Sequence, residues 1–119
     1  MGKPQTDPTE RFFVELASRA YEPLLRKASG SMLFEVVDGR RTRRWLVGVE
    51  RGDMTVRTGG GDASCVIRAD KVVFDKVASG RANAVAAVLR GDLQVDGDWR
   101  LLVRMQRLFP GPRRRRVTA

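Results

Sequence analysis

The 119-residue sequence predicts an α+β fold, a mostly antiparallel sheet with helices packed on one side. Three observations carry this. Apolar residues recur at three- to four-residue spacing before residue 30. The period then falls to two over residues 31–69. Helical spacing returns afterwards, interrupted by one short strand.

The first helix has a compact start, with Asp7 as N-cap, Pro8 at the first position and Glu10 three residues on as the reciprocal partner. Its stripe is Phe12, Phe13, Leu16, Ala17, Ala20, Tyr21, Leu24 and Leu25, with Pro23 expected to kink the helix or open a new turn. Ser29-Gly30 closes the helical region. Met32, Phe34 and Val36 then alternate, followed by Trp45, Val47 and Val49, then Met54 and Val56, then Cys65, Ile67 and Ala69. Turn residues separate these four strands at Asp38-Gly39, Arg51-Gly52-Asp53 and Gly59 to Asp62, so the middle reads as an antiparallel meander with one face covered.

Asp70 is an N-cap for a short helix over Val72, Val73, Phe74, Val77 and Ala78, ended by Ser79-Gly80. Asn83 starts a small-residue helix, Ala84 to Leu89, closed by Gly91 as the C-terminal glycine. Leu93, Val95 and Gly97 alternate with Asp92, Gln94 and Asp96 as a short fifth strand. Asp98 caps a last helix carrying Trp99, Leu101, Leu102, Met105, Leu108 and Phe109, stopped by Pro110 and Pro112. Five of those residues share one wide apolar face, which by spacing alone is a core-forming face.

A chain of this length with 42% hydrophobic residues can bury a core as one domain. The lone cysteine, Cys65, sits in an apolar alternation and reads as buried and inert, in keeping with a reducing compartment. No apolar run reaches the length of a membrane span, and the expected location is cytoplasmic. The net charge of +9 is unevenly placed. Seven arginines and no acid follow position 99: Arg100, Arg104, Arg107 and Arg113 to Arg116. Residues 1–99 are therefore close to neutral. The region 111–119 reads as a basic, disordered tail.

Catalytic signatures are lacking. The sequence has no histidine, which removes the usual general base and the commonest metal ligand. A single cysteine cannot build a thiolate metal cluster. The carboxylates fall mostly at caps and turns (Asp7, Asp38, Asp53, Asp62, Asp70, Asp92, Asp96, Asp98). Arg-Gly-Asp at 51–53 is a hairpin turn, and the triple glycine at 59–61 has no Gly-Lys-Ser/Thr after it to cradle a phosphate.

Ser79-Gly80, Ala84 to Leu89, Gly91-Asp92-Leu93, Val95, Gly97-Asp98, Leu102, Gln106 and Leu108-Phe109, in that order after four strands, resemble the sterol carrier protein 2 lipid-transfer domain family. The resemblance covers roughly residues 8–110 and makes 1–110 a single lipid-binding domain. It implies a five-stranded sheet with helices on one face, enclosing an apolar tunnel for a sterol, fatty acid or acyl thioester. It implies binding and transfer without catalysis and without a cofactor. The sequence ends Val117-Thr118-Ala119, unlike the Ser-Lys-Leu-type ending of peroxisomal members.

With that resemblance, Trp45, Phe74, Val85, Leu89, Leu102, Met105, Leu108 and Phe109 become the expected tunnel lining, and Gln106 a polar contact to a ligand head group. Met32, Met54 and Met105 supply adaptable thioethers. The partners expected are a lipid, an anionic membrane surface met transiently, and no nucleic acid, with the chain a monomer. The competing reading is a polyanion-binding module acting through the arginine-rich C-terminus on anionic membrane or nucleic acid. It lacks a stacking platform.

Overall fold

Asp7 opens α1 (Pro8–Arg19) as expected, its carboxylate accepting from the backbone N–H groups of Thr9 and Glu10. The computed structural model describes residues 7–109, so the tail 111–119 and the prolines at 110 and 112 lie outside the described residues. After α1 come a 3-10 turn (Pro23–Leu25), β1 (Ser29–Asp38), β2 (Arg41–Glu50), β3 (Asp53–Thr58) and β4 (Cys65–Asp70). Then follow α2 (Lys71–Ala78), α3 (Ala84–Arg90), β5 (Gln94–Gly97), α4 (Arg100–Met105) and a final 3-10 turn (Gln106–Leu108). No helix among the described residues is long and apolar enough to cross a membrane.

The five strands form one sheet in the order β3-β2-β1-β4-β5. Three pairings are antiparallel, but β4 lies parallel to β1, Met32 facing Cys65. The meander therefore stops at β3, which corrects the expectation for the fourth strand. The six-residue link 59–64 carries the chain back across β2 and β1. Three strand spacings are about 14 Å, within the roughly 20 Å that six extended residues reach. The link crosses the sheet face away from the helices, where a Cβ at Gly61 would stand 2.9 Å from Leu46 Cδ2. The glycines at 59–61 thus serve the crossing.

The alternation in β1, β2 and β4 places Met32, Phe34, Val36, Trp45, Val47, Val49, Cys65, Ile67 and Ala69 in the core, as read from the sequence. Against them pack Phe12, Phe13 and Leu16 of α1 and Phe74 and Val77 of α2. Six rings form the centre. Phe13 lies nearly parallel to Trp45 at 4.5 Å and to Phe74 at 5.7 Å, and meets Phe12 and Phe34 edge-on at 5.1 Å each. Phe12 stacks on Phe109 at 4.6 Å, tying the end of the described chain to its first helix.

Two boundaries differ from the expectation, and one expected cap lacks its hydrogen bond. α1 ends at Arg19, and Ala17, Ala20, Tyr21 and Leu24 are exposed, so only half of its stripe is core. Ala20 adopts φ 57°, Tyr21 bridges to Asp53, and Pro23 starts a new turn capped by the buried Glu22 carboxylate. Ser29-Gly30 opens β1 rather than closing a helix. Asp70 stands at the N-cap of α2 without accepting a hydrogen bond from it.

A polar tie joins α1 to α2. Lys71 Nζ donates to Asp7 Oδ1 at 3.1 Å and to Asp75 Oδ2 at 2.8 Å, and the buried Thr9 hydroxyl donates to Asp75 Oδ1 at 2.7 Å. Burial pushes the Asp7 carboxyl up, but the hydrogen bond from Lys71, those from Glu10 and Thr9 N–H, and the ammonium charge outweigh it and hold it below the usual range. A depressed carboxyl stabilises the fold above its unfolded value, near 4, and that contribution is lost as pH falls through the folded value. Lys71→Met is expected to lower stability by about 1 kcal/mol at pH 7 and by much less at pH 2.5. Urea midpoints at the two pH values check this, and an equal deficit at both would exclude the linkage.

Candidate functional site

The sequence around α3, β5 and α4 builds a groove rather than a closed core. Asn83 Oδ1 accepts from Ala86 N–H to start α3, and Gly91, at φ 84°, ends it. Ala84 and Ala87 face the core, so α3 sits close to its support and lends Val85, Val88 and Leu89 to a second surface, Val88 packing against the core as well. Gly97, at φ 103°, lets β5 press onto β4: a Cβ there would collide with the carbonyl of Ser64 and stand 3.2 Å from Cys65 Cα. Asp98 N–H then donates to that Ser64 carbonyl at 2.8 Å, and the Asp98 carboxylate accepts from Arg100 N–H, although the N-cap of α4 is Trp99, one residue later than the expected Asp98. α4 is shorter than its apolar stripe, relaxing to a 3-10 turn at Gln106.

Between these elements lies a cavity of about 260 Å³ lined by Val85, Val88, Leu89, Val95, Trp99, Leu102 and Val103. The wall has no ionisable group, and its one polar side-chain atom is the Trp99 indole nitrogen. Leu102 is buried at its base, while Leu89, Trp99 and Val103 are 82%, 59% and 40% exposed at its mouth. Such a site can hold an apolar chain by burial and has no group with which to move a proton or attack a bond. A second cavity, of about 290 Å³, is polar, with Asp70, Asp92, Gln94 and Arg68 in its wall. Arg68 is engaged by Glu35 at 3.1 Å. Nothing there encloses an alkyl chain.

Of the nine residues singled out from the sequence, Val85, Leu89 and Leu102 meet at the first cavity. Trp45, Phe74, Met105, Leu108 and Phe109 lie instead in the closed core, all less than 9% exposed. Gln106 is half-buried, outside the cavity wall. Met32, Met54 and Met105 are likewise core residues. The division follows from α4, whose apolar face is wide enough to serve two surfaces, Leu101 and Met105 facing inward and Leu102 facing α3. Val88, Val95, Trp99 and Val103 went unselected. Their signal was a matched pair of i, i+3, i+4 triplets, Val85-Val88-Leu89 and Trp99-Leu102-Val103, on helices joined by one short strand.

Cys65 lies beneath Gly97, fully buried, and burial, followed by the charges of Asp98 and Asp96, pushes its thiol up to about 11. The thiolate is the reactive form, so native protein is expected to resist iodoacetamide at pH 8 and to react at once after unfolding in urea. Intact-mass measurement reads this directly. Rapid labelling of native protein would mean that β5 opens readily from β4.

Comparisons agree with this architecture. No curated protein sequence matches the chain. A sterol carrier protein domain 2 from Helicoverpa armigera has a similar structure, with TM-score 0.70 and 20% identity, over 99% of this chain and 97% of that one. Palmitated sterol carrier protein 2-like 2 from Aedes aegypti gives TM-score 0.70 at 14% identity, covering 88% of this chain and 97% of that one. Sterol carrier protein 2 from Aedes aegypti in complex with the C16 fatty acid palmitate gives 0.69 at 15%, covering 88% and 96%. At these identities the likeness establishes the fold. The sequence itself goes further, because the family model for SCP-2 sterol transfer matches residues 10–110, nearly the whole described chain, and the protein belongs to the SCP-2 sterol transfer family.

Proposed function

We propose that the protein binds one hydrophobic ligand, in the first place the alkyl chain of a fatty acid or acyl thioester, in the cavity between α3, β5 and α4, and that it carries this ligand without transforming it. The observation that carries the reading is the wall itself: seven apolar side chains, three of them exposed at the mouth. Each methylene buried there contributes about 0.8 kcal/mol. The palmitate held by two relatives is of this class. At about 260 Å³ the cavity is just below the ~300–1,000 Å³ of sites that bury a drug-sized ligand. That volume favours a flexible chain over the fused rings of a sterol. The ligand's polar end would remain at the mouth, and Gln106 is assigned no contact with it.

Native mass spectrometry before and after organic extraction, with a panel of palmitate, palmitoyl thioester and cholesterol, tests the reading. Bound mass of the acyl class is expected. Palmitate at one hundred times its dissociation constant should add about 2.7 kcal/mol to stability and raise Tm by roughly 10 °C. A clean ligand-free mass with no shift in Tm across the panel would remove the carrier function.

A further inference from the structure

We propose that the strip formed by Leu89, Trp99 and Val103, with the arginines of α4 beside it, docks on the surface of an anionic phospholipid bilayer and turns the cavity mouth into the lipid. This rests on the reading of the cavity as an alkyl-chain site and assigns where the chain enters. Leu89 is 82%, Trp99 59% and Val103 40% exposed, a contiguous apolar patch at one cavity rim. The remaining exposed large apolar residues, Val14, Tyr21, Leu24 and Val72, are carried by other elements. Contiguous apolar surface of this kind marks an interaction site, and an exposed tryptophan suits a bilayer interface, with its ring in the apolar layer and its N–H in the head-group layer.

Charge selects the partner. At about 100° per residue, Trp99, the N-cap of α4, and Val103 follow one another along the helix, Arg100 and Arg104 form the shoulder beside them, and Arg107 follows in the 3-10 turn. Residues 100–109 hold these three arginines and no acid. Arg100 and Arg90 hold the exposed carboxylates of Asp98 and Asp92 at 3.0 Å each. Such exposed pairs are weak and give way to phosphate. Asp96, exposed on β5 next to Val95, is a further acid on these elements. Arg104 and Arg107 have no carboxylate within ion-pairing distance among the described residues. Beyond them the sequence adds Arg113 to Arg116, of the same sign. A nucleic acid would use the arginines but leave Leu89 and Val103 in water, and one tryptophan is no stacking platform. A bilayer with anionic head groups uses both halves of the surface.

The test uses the full chain with vesicles of phosphatidylcholine containing 30% phosphatidylserine, against phosphatidylcholine alone, some carrying phosphatidylcholine brominated near the head-group end of its acyl chains. Trp45 is buried, so Trp99 is the indole within reach of the lipid. Binding to the anionic vesicles, a blue shift of Trp99 emission and its quenching by the brominated lipid are expected, with weak binding to the neutral vesicles. Arg104→Gln/Arg107→Gln should weaken anionic-vesicle binding about 30-fold while palmitate affinity in solution stays unchanged, since neither residue lines the cavity. Binding without quenching of Trp99, binding of poly(U) in place of vesicles, a dimer that shields Trp99, or no vesicle binding would each overturn the docking surface. Palmitate binding is measured separately in vesicle-free solution, so loss of the carrier reading and loss of the docking surface are read independently.

Discussion

Phe13→Ala is expected to lower the unfolding free energy by about 3–5 kcal/mol, at the top of the range for a single core truncation. Phe13 is 2% exposed and stands between the sheet and the helical layer. Its ring lies against Trp45 and Phe74 face to face and against Phe12 and Phe34 edge-on. Truncation therefore removes four ring contacts and leaves a void walled by aromatic groups too large to close it. Each such aromatic pair adds about 0.5–1.5 kcal/mol beyond the area it buries. A domain of this size has only about 5–15 kcal/mol in total, so the variant should stand near the edge of folding at 37 °C. Urea unfolding followed by far-ultraviolet circular dichroism reads the effect. Val14→Ala, one residue along the same helix and 62% exposed, is the control, expected within about 0.5 kcal/mol of the parent. A Phe13→Ala loss under 1 kcal/mol would mean that the six rings are not one packed unit.

The same residues explain what the sequence discloses and what it withholds. Phe12, Phe13 and Leu16, and the alternations through Phe34, Trp45 and Ile67, could be assigned to the core because period reports which face is apolar. Period does not report which strand lies beside which. Cys65 to Asp70 alternates alike whether β4 runs antiparallel beside β3 or parallel beside β1, and the choice was made by the link at Gly59 to Ser64. The end of α1 was hidden for a related reason. Ala20, Tyr21 and Leu24 continue helical spacing, yet the chain turns away at Ala20 and Tyr21 bridges to Asp53, a distant contact. At the cavity, Val85, Leu89 and Leu102 were legible as apolar helix positions. Their separation from Phe74, Met105 and Phe109 was not, because a wide apolar stripe is equally consistent with one buried surface or two.

That separation yields the second large effect. Val85→Phe/Val88→Phe is expected to abolish palmitate binding, with affinity falling more than 100-fold, while the domain remains folded. Both valines are half-buried on the α3 side of the cavity. Two added rings would occupy much of the roughly 260 Å³ that the ligand needs. In a packed core an insertion of that size forces strain of about 1–3 kcal/mol. Here the rings enter existing apolar space and cover Leu102 and Val95, so stability should hold or rise. The two readouts move apart only if the cavity is a binding site and not a packing flaw. Calorimetric titration with palmitate and thermal unfolding of the same sample measure both. Binding retained at parental affinity would place the ligand elsewhere, under the aromatic cluster where Trp45 and Phe74 lie, and the cavity between α3 and α4 would lose its role. Binding lost together with a fall in Tm of 10 °C or more would show instead that the valines are core, with no ligand site to be blocked.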